Sequence, residues 1–216
     1  MTPGLTFDEP AHQYFWQGRP VPNTTRIIAH LTDYSHIPPD RLVRLQEEGK
    51  AVHKLVELDC RNDLNTDTLP DWLKPHYAAW CRFKEDTGFE CWDAERRVYH
   101  EKLGYAGTLD LAGILPKLPK TRDAAIIDVK RSLYGGPAIG LQTVSYEDGR
   151  NALVPKDQRT RLRFALVLGA DGAYRLTQYS DPDDRGAFLA CLQQWYWRAK
   201  HYPNTTTTET RHVRSA

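Results

Sequence analysis

Ala124-Ala125-Ile126-Ile127-Asp128-Val129-Lys130 is the most apolar strand-like run in the chain. A run apolar on both alternating faces predicts a central strand covered on both sides. Its end breaks the pattern. Asp128 and Lys130 are two apart, so on a strand they share a face. Upstream, Gly107-Thr108-Leu109-Asp110 lies in a second strand-like segment, Tyr105 to Leu115, and Phe89 to Tyr99 is a third. Short turn-rich connections, the later one carrying Pro116 and Pro119, make the three neighbours in meander order. With the Asp110 strand beside 124–130, Asp110, Asp128 and Lys130 converge on one patch of sheet.

Helical patterns lie on either side of this region. Pro38-Pro39-Asp40 opens a helix that runs to about Cys60, with Leu42, Leu45, Val52, Leu55, Val56 and Leu58 on one buried face. Gly49 inside it costs about 1 kcal/mol against alanine, and so predicts the close approach of another backbone. Trp72 to Thr87 is a second such pattern, stopped by Gly88. Beyond Gly135-Gly136-Pro137, a helix is expected from Ile139 to Glu147. Strands follow at Arg161–Leu168 and Tyr174–Tyr179 around the turn Ala170-Asp171-Gly172. Asp181 to Asp184 caps a final helix whose Phe188, Leu189, Leu192, Trp195 and Tyr196 recur at core-packing spacing. Trp195, Tyr196 and Trp197 also offer rings on which bases stack, the alternative reading of the same residues. At the N-terminus, Thr6 to Pro22 reads as a β-hairpin turning at Gln17-Gly18, before the caps Asn23-Thr24-Thr25. The polar stretch 204–216 reads as a frayed tail.

The fold class expected is α/β: one domain over 1–203, a central sheet flanked by helices, with 1–35 as an N-terminal hairpin and helix extension. A chain of 216 residues, 40% apolar, fits one domain and excludes general disorder. A net charge of +1 neither announces nor excludes a nucleic-acid partner, because binding depends on where charges cluster. No apolar run approaches the roughly 20 residues that span a bilayer, and no signal peptide is visible. A cytoplasmic location without membrane attachment is the expectation. Four cysteines without a CxxC pair read as reduced thiols.

Two carboxylates converging on a sheet can hold Mg²⁺ or Mn²⁺, which prefer oxygen ligands. The peptide oxygen of Val129 can add a ligand. Such an ion polarises a phosphodiester and lowers the pKa of water, while Lys130 orients the attacking water or stabilises charge on the phosphate.

Four elements in order make this pattern specific: Gly49-Lys50-Ala51-Val52-His53, Gly107 to Asp110, Asp128-Val129-Lys130, and Gln142-Thr143-Val144-Ser145-Tyr146. Together they resemble the PD-(D/E)xK nuclease superfamily, and within it the RecB-like exonucleases of phage type. The resemblance spans Gly49 to Tyr146 and implies a restriction-endonuclease-like core with a mixed sheet. It implies His53 as a metal ligand with Asp110 and Asp128, and Glu95 near the metal or its waters. It implies Gln142 and Tyr146 on a helix that contacts nucleic acid. Arg131 and Ser132, directly after the lysine, read as phosphate contacts. Arg161 and Arg163 read as lining a DNA groove, with a solvated strand face as the equal alternative.

The function expected is an exodeoxyribonuclease of phage recombination or DNA processing, using Mg²⁺ or Mn²⁺. A DNA end, a recombination partner and a homo-oligomer are the expected partners. An endonuclease on the same fold and a non-catalytic DNA-binding or partner-binding protein are the alternatives. Some related exonucleases hold an iron–sulfur cluster through one upstream and three clustered downstream cysteines. Here only Cys191 follows Tyr146, so no cluster is expected.

Overall fold

The computed structural model describes residues 2–118, 123–131 and 136–202. Three short strands come first: β1 (Leu5–Asp8), β2 (Gln13–Trp16) and β3 (Arg19–Val21), paired antiparallel in that order. The expected hairpin therefore has a third strand. Its Gln17-Gly18 turn is as expected, with left-handed φ of 49° and 77° that suit a tight hairpin. Helix α1 (Thr24–Ile27) follows, capped by the Asn23 side chain on the Arg26 N–H at 2.9 Å. Then come α2 (Pro39–Cys60), α3 (Lys74–Thr87), β4 (Glu90–His100), β5 (Tyr105–Ile114) and β6 (Ala124–Lys130). The chain closes with α4 (Ala138–Asn151), β7 (Thr160–Leu168), β8 (Tyr174–Gln178) and α5 (Asp184–His201).

The fold is α/β. Strands β4 to β8 form one mixed sheet in sequence order, and β6 lies at its centre. Only β6 and β7 are parallel, because α4 carries the chain across one face between them. Ala124 through Val129 are buried, as a doubly covered strand requires. Helices α2 and α3 cover one face, where Val52, Leu55, Val56, Trp80 and Phe83 pack on Ile127, Val129 and Leu166. Helix α4 covers the other, with Tyr146 against Val98, Leu109 and Ile126. Helices α1 and α5 close over α4 through Ile27, Ile28, Leu141, Val144, Phe188 and Leu192. The N-terminal sheet docks on β4 and β5: Trp16 stacks on Tyr99 at 4.3 Å, and the Tyr14 hydroxyl meets Thr108 Oγ1 at 2.6 Å.

Several expectations change. The first half of α2 leans out, since Leu42 and Leu45 are only half-buried. Helix α3 starts at Lys74 and leaves Trp72 exposed, while α4 runs on to Asn151. In α5, Phe188 and Leu192 are core and Trp195 packs against them, but Leu189, Tyr196 and Trp197 are exposed, so core packing takes in only part of its aromatic end. Asp181 caps the Asp183 N–H at 2.9 Å, whereas the Asp184 carboxylate turns inward to Arg163. The tail 204–216 lies outside the described residues. Among those described, no helix is long and apolar enough to cross a membrane.

Gly49 is also corrected. A Cβ placed there meets nothing within 4 Å, so no close approach explains it. Gly107, by contrast, is one of the glycines that packing demands: its Cβ would fall 2.7 Å from Tyr146 Cε1 and 3.1 Å from Thr24 Oγ1. The two alanine variants should therefore move in opposite directions. Gly49→Ala is expected to raise unfolding free energy by about 0.5–1 kcal/mol in urea melts. Gly107→Ala is expected to lower it by about 1–3 kcal/mol through overpacking. Equal behaviour of the two would contradict this packing.

Candidate metal centre

Side-chain alternation breaks where the acidic residues sit. Leu109 packs on the α4 face with Ile126, whereas Leu111 packs on the α2–α3 face with Ile127. Residues two apart on a regular strand share a face, so β5 shifts phase between them, at Asp110. Strand β4 shifts with it: Val98 belongs to the α4 face and Ala94 to the other. Pairing of Ala94 with Leu111 and of Arg96 with Leu109 leaves Glu95 opposite Asp110. Glu95 itself has a left-handed φ of 49°, a conformation that costs a non-glycine residue about 1–2 kcal/mol. Such strain in mid-strand persists only where the surroundings impose it.

The break also forks the sheet. Pairing of β4 with β5 runs down to His100 and Tyr105, but pairing of β5 with β6 covers only Leu111–Gly113 against Ala125–Ile127. Asp110 sits at the mouth of the fork. Its Oδ2 accepts the Val129 N–H at 2.7 Å, in place of a ladder bond. On a strand a residue's N–H and C=O leave on the same side, so the Val129 carbonyl also faces the fork.

From α2, His53 reaches into this opening. Its Nδ1 lies 3.3 Å from Glu95 Oε1 and 3.4 Å from Asp110 Oδ1. One donor atom from each of the three lies within 4.8 Å of the others. Neighbouring ligands of an octahedral ion bound at about 2.1 Å stand about 3 Å apart, so the set fits a divalent cation. Glu95 is thus in the donor cluster itself, while Asp128 is outside that trio.

Asp128 is fully buried, and neither of its carboxylate oxygens has a hydrogen-bond partner. The Lys130 ammonium stands 2.8 Å from Oδ2 as an ion pair. Burial pushes the Asp128 carboxyl up to about 6 against the pull of Lys130. Burial works against the Lys130 charge too, but Asp128 and Asp110 outweigh it and hold the ammonium above its usual range. His53 behaves likewise. Burial pulls it down, Asp110 and Glu95 pull harder, and it ends at about 10. Asp110 stays below the usual carboxylate range despite burial, because His53, Lys130 and the Val129 N–H favour its charge. Glu95 is pushed up by burial. The site therefore gathers three carboxylates and meets their charge with a protonated imidazole and an ammonium.

No family model and no curated protein matches this chain.

The remaining expected residues scatter. Gln142 donates to the Tyr146 hydroxyl at 3.2 Å, as their four-residue spacing on α4 allows. Tyr146 is buried against Gly107, so it supports the floor of the site and has no surface to offer a nucleic acid. Gln142 is half-buried. Arg131 pairs with Glu48 of α2 at 3.3 Å and ties the end of β6 to the helix bearing His53. Ser132 lies outside the described residues. Arg161 and Arg163 do not share a face, because the register of β7 on β6 slips between Thr160 and Leu162. Arg161 is exposed beside Asp123 at the end of β6 remote from Lys130. Arg163 is corrected outright. It is buried, with its guanidinium on Asp184 at 2.8 Å and on the Gly140 carbonyl at 2.9 Å, so it braces α4 against α5 and lines no groove. Tyr34 is a neighbour that sequence reading missed. It lies within Coulomb reach of Lys130, although nothing in its local sequence marks it.

Glu95→Gly separates strain from ligation. Glycine adopts the left-handed φ freely, and the variant also removes a carboxylate whose charge is disfavoured by burial. Without added metal, its melts should show stability equal to wild type or higher by about 1 kcal/mol. Calorimetric Mn²⁺ binding should weaken at least tenfold. Unchanged Mn²⁺ affinity would remove Glu95 from the donor set.

Proposed function

We propose that this protein is a metal-dependent nuclease that hydrolyses DNA phosphodiester bonds, acting from DNA ends, of the PD-(D/E)xK, RecB-like type its motifs resemble. The observation that supports this reading best is the fork between β5 and β6. There the His53, Glu95 and Asp110 donors meet the ion pair of buried Asp128 with half-buried Lys130.

His53, Glu95 and Asp110 would hold the cation, with the Val129 carbonyl on the same side. The orphaned oxygens of Asp128 present a negative charge that a divalent cation nearby would relieve. When bound, that cation polarises the phosphodiester and makes water a better nucleophile at neutral pH. The imidazole tilts the donor set toward Mn²⁺ over Mg²⁺, since an all-oxygen set is what Mg²⁺ prefers. Lys130 keeps its proton in this field of carboxylates. Its ammonium can orient the attacking water and stabilise charge as it develops on the phosphate oxygens, with no reorganisation at the moment of reaction. Asp128 holds that ammonium in place. Arg131, tied to Glu48, and Gln142, bonded to Tyr146, would serve as phosphate contacts.

Lys130→Ala should reduce release of nucleotides from end-labelled linear DNA by about a hundredfold or more. It also leaves Asp128 buried without its cation, at a stability cost of about 3–5 kcal/mol. The double variant Asp128→Asn/Lys130→Ala should recover much of that stability while remaining inactive. Full activity in either variant would defeat the mechanism. Circular DNA serves as a control, because cutting of circles shows an endonuclease and binding without any cutting a non-catalytic protein.

A second expectation concerns pH. A metal ion at His53 must displace the proton that Asp110 and Glu95 hold there up to about pH 10. Apparent Mn²⁺ affinity should therefore rise about tenfold per pH unit across the neutral range. Titration calorimetry in buffers of differing ionisation enthalpy should show close to one proton released per ion bound. An affinity independent of pH would place the ion away from His53.

A further inference from the structure

A second feature of the molecule is unused by this mechanism. A cleft of about 250 Å³ opens between the segment following α1 and the outer face of α5. Arg26, His30 and Arg198 line it together with Trp195, Gln194 and Cys191, and among the described residues no carboxylate does. Arg26 is held in place by neutral acceptors, Gln13 Oε1 at 2.7 Å and the Ala11 carbonyl at 3.1 Å. Among the described residues no ion pair neutralises it, so its guanidinium presents uncompensated charge. Trp195 packs one side on the α1–α4–α5 core and borders the cleft with the other. The end of α5 interleaves rings and cations: Trp195, Tyr196, Trp197, Arg198, Lys200, His201 and Tyr202. Tyr196, Trp197 and Tyr202 are exposed. Basic groups that follow a backbone, beside aromatic faces, are the chemistry that binds single strands without reading their sequence.

The segment that lines the cleft also leads toward the fork. Thr24 at the start of α1 stands against Gly107, His30 lines the cleft, and Tyr34, four residues on, acts electrostatically on Lys130. On the other flank, Arg26 and Lys50 both lie within Coulomb reach of His12, so positive charge continues toward the helix that bears His53.

We propose that the cleft between α1 and α5 holds a single strand of DNA, with a phosphate on Arg26 and a base against Trp195, as it runs to or from the fork. The choice of DNA as occupant rests on the nuclease reading. The test is anisotropy of a fluorescein-labelled oligothymidylate with the full chain in EDTA, at low and moderate salt. Trp195→Ala and the acidic double variant His30→Glu/Gln194→Glu should each weaken binding roughly tenfold or more. Because His30 and Gln194 are exposed, the acidic variant should melt like wild type, which keeps the test valid where Trp195→Ala loses stability. Excess inorganic phosphate should not release the strand. Wild-type affinity in the acidic variant, release by phosphate, or no binding by the wild-type chain would each overturn the cleft. Cleavage by wild type with Mn²⁺ while the acidic variant binds normally removes the cleft and leaves the nuclease reading. Binding lost in that variant, with no cleavage by wild type under any metal, removes the nuclease reading and leaves the cleft.

Discussion

A fully buried Asp128 carboxylate beside a half-buried ammonium is the arrangement on which the rest of the site depends. An isolated ion in such a place costs several kcal/mol, and the mutual attraction of a pair offsets this only in good geometry. Here the pair is joined by His53, Glu95 and Asp110, so opposed charges compensate one another across the fork. The compensation is incomplete, because the Asp128 oxygens lack hydrogen bonds and the Glu95 backbone is strained. Unmet polar need and stored strain coincide at one point, as expected where folding stability is given up for binding or chemistry.

The scaffold explains how this is held. With β5 detached from β6 at the fork, something else must keep Asp110 in place. Part of the answer is the Val129 N–H. The N-terminal sheet supplies more, through Tyr14 on Thr108 and Trp16 on Tyr99, which clamp β4 and β5 from outside. On the opposite face Gly107 lets Tyr146 approach the sheet, and Gln142 fixes its hydroxyl. Further out, Arg150 bridges Asp93 and the Gln158 carbonyl, and Arg163 joins Gly140 to Asp184. These buried arginines lock α4 to the sheet edge and to α5. They stiffen the frame around the site without entering it.

Much of this was legible in the chain. The apolar run 124–129 specified a central strand because only a doubly covered strand tolerates it. Two-residue periodicity placed Asp128 and Lys130 on one face, and the meander order placed Asp110 beside them. Arginines were less legible. Local sequence shows the charge of Arg163 but not whether Asp184, twenty-one residues later, will neutralise it. Gly49 misled for a related reason: a glycine signals permitted closeness, and only tertiary packing shows whether anything comes close.

The sequence by itself determined the α/β order of elements, the identity of the central strand and the pairing of Asp128 with Lys130, because these follow from short-range periodicity. Tertiary structure alone decided that Glu95 joins His53 and Asp110 as a donor, and that Asp128 stands apart from that trio. That outcome depends on a phase shift shared by two strands and on the left-handed turn of one residue. Such features arise from the balance of packing on the two faces of the sheet, which no local pattern encodes.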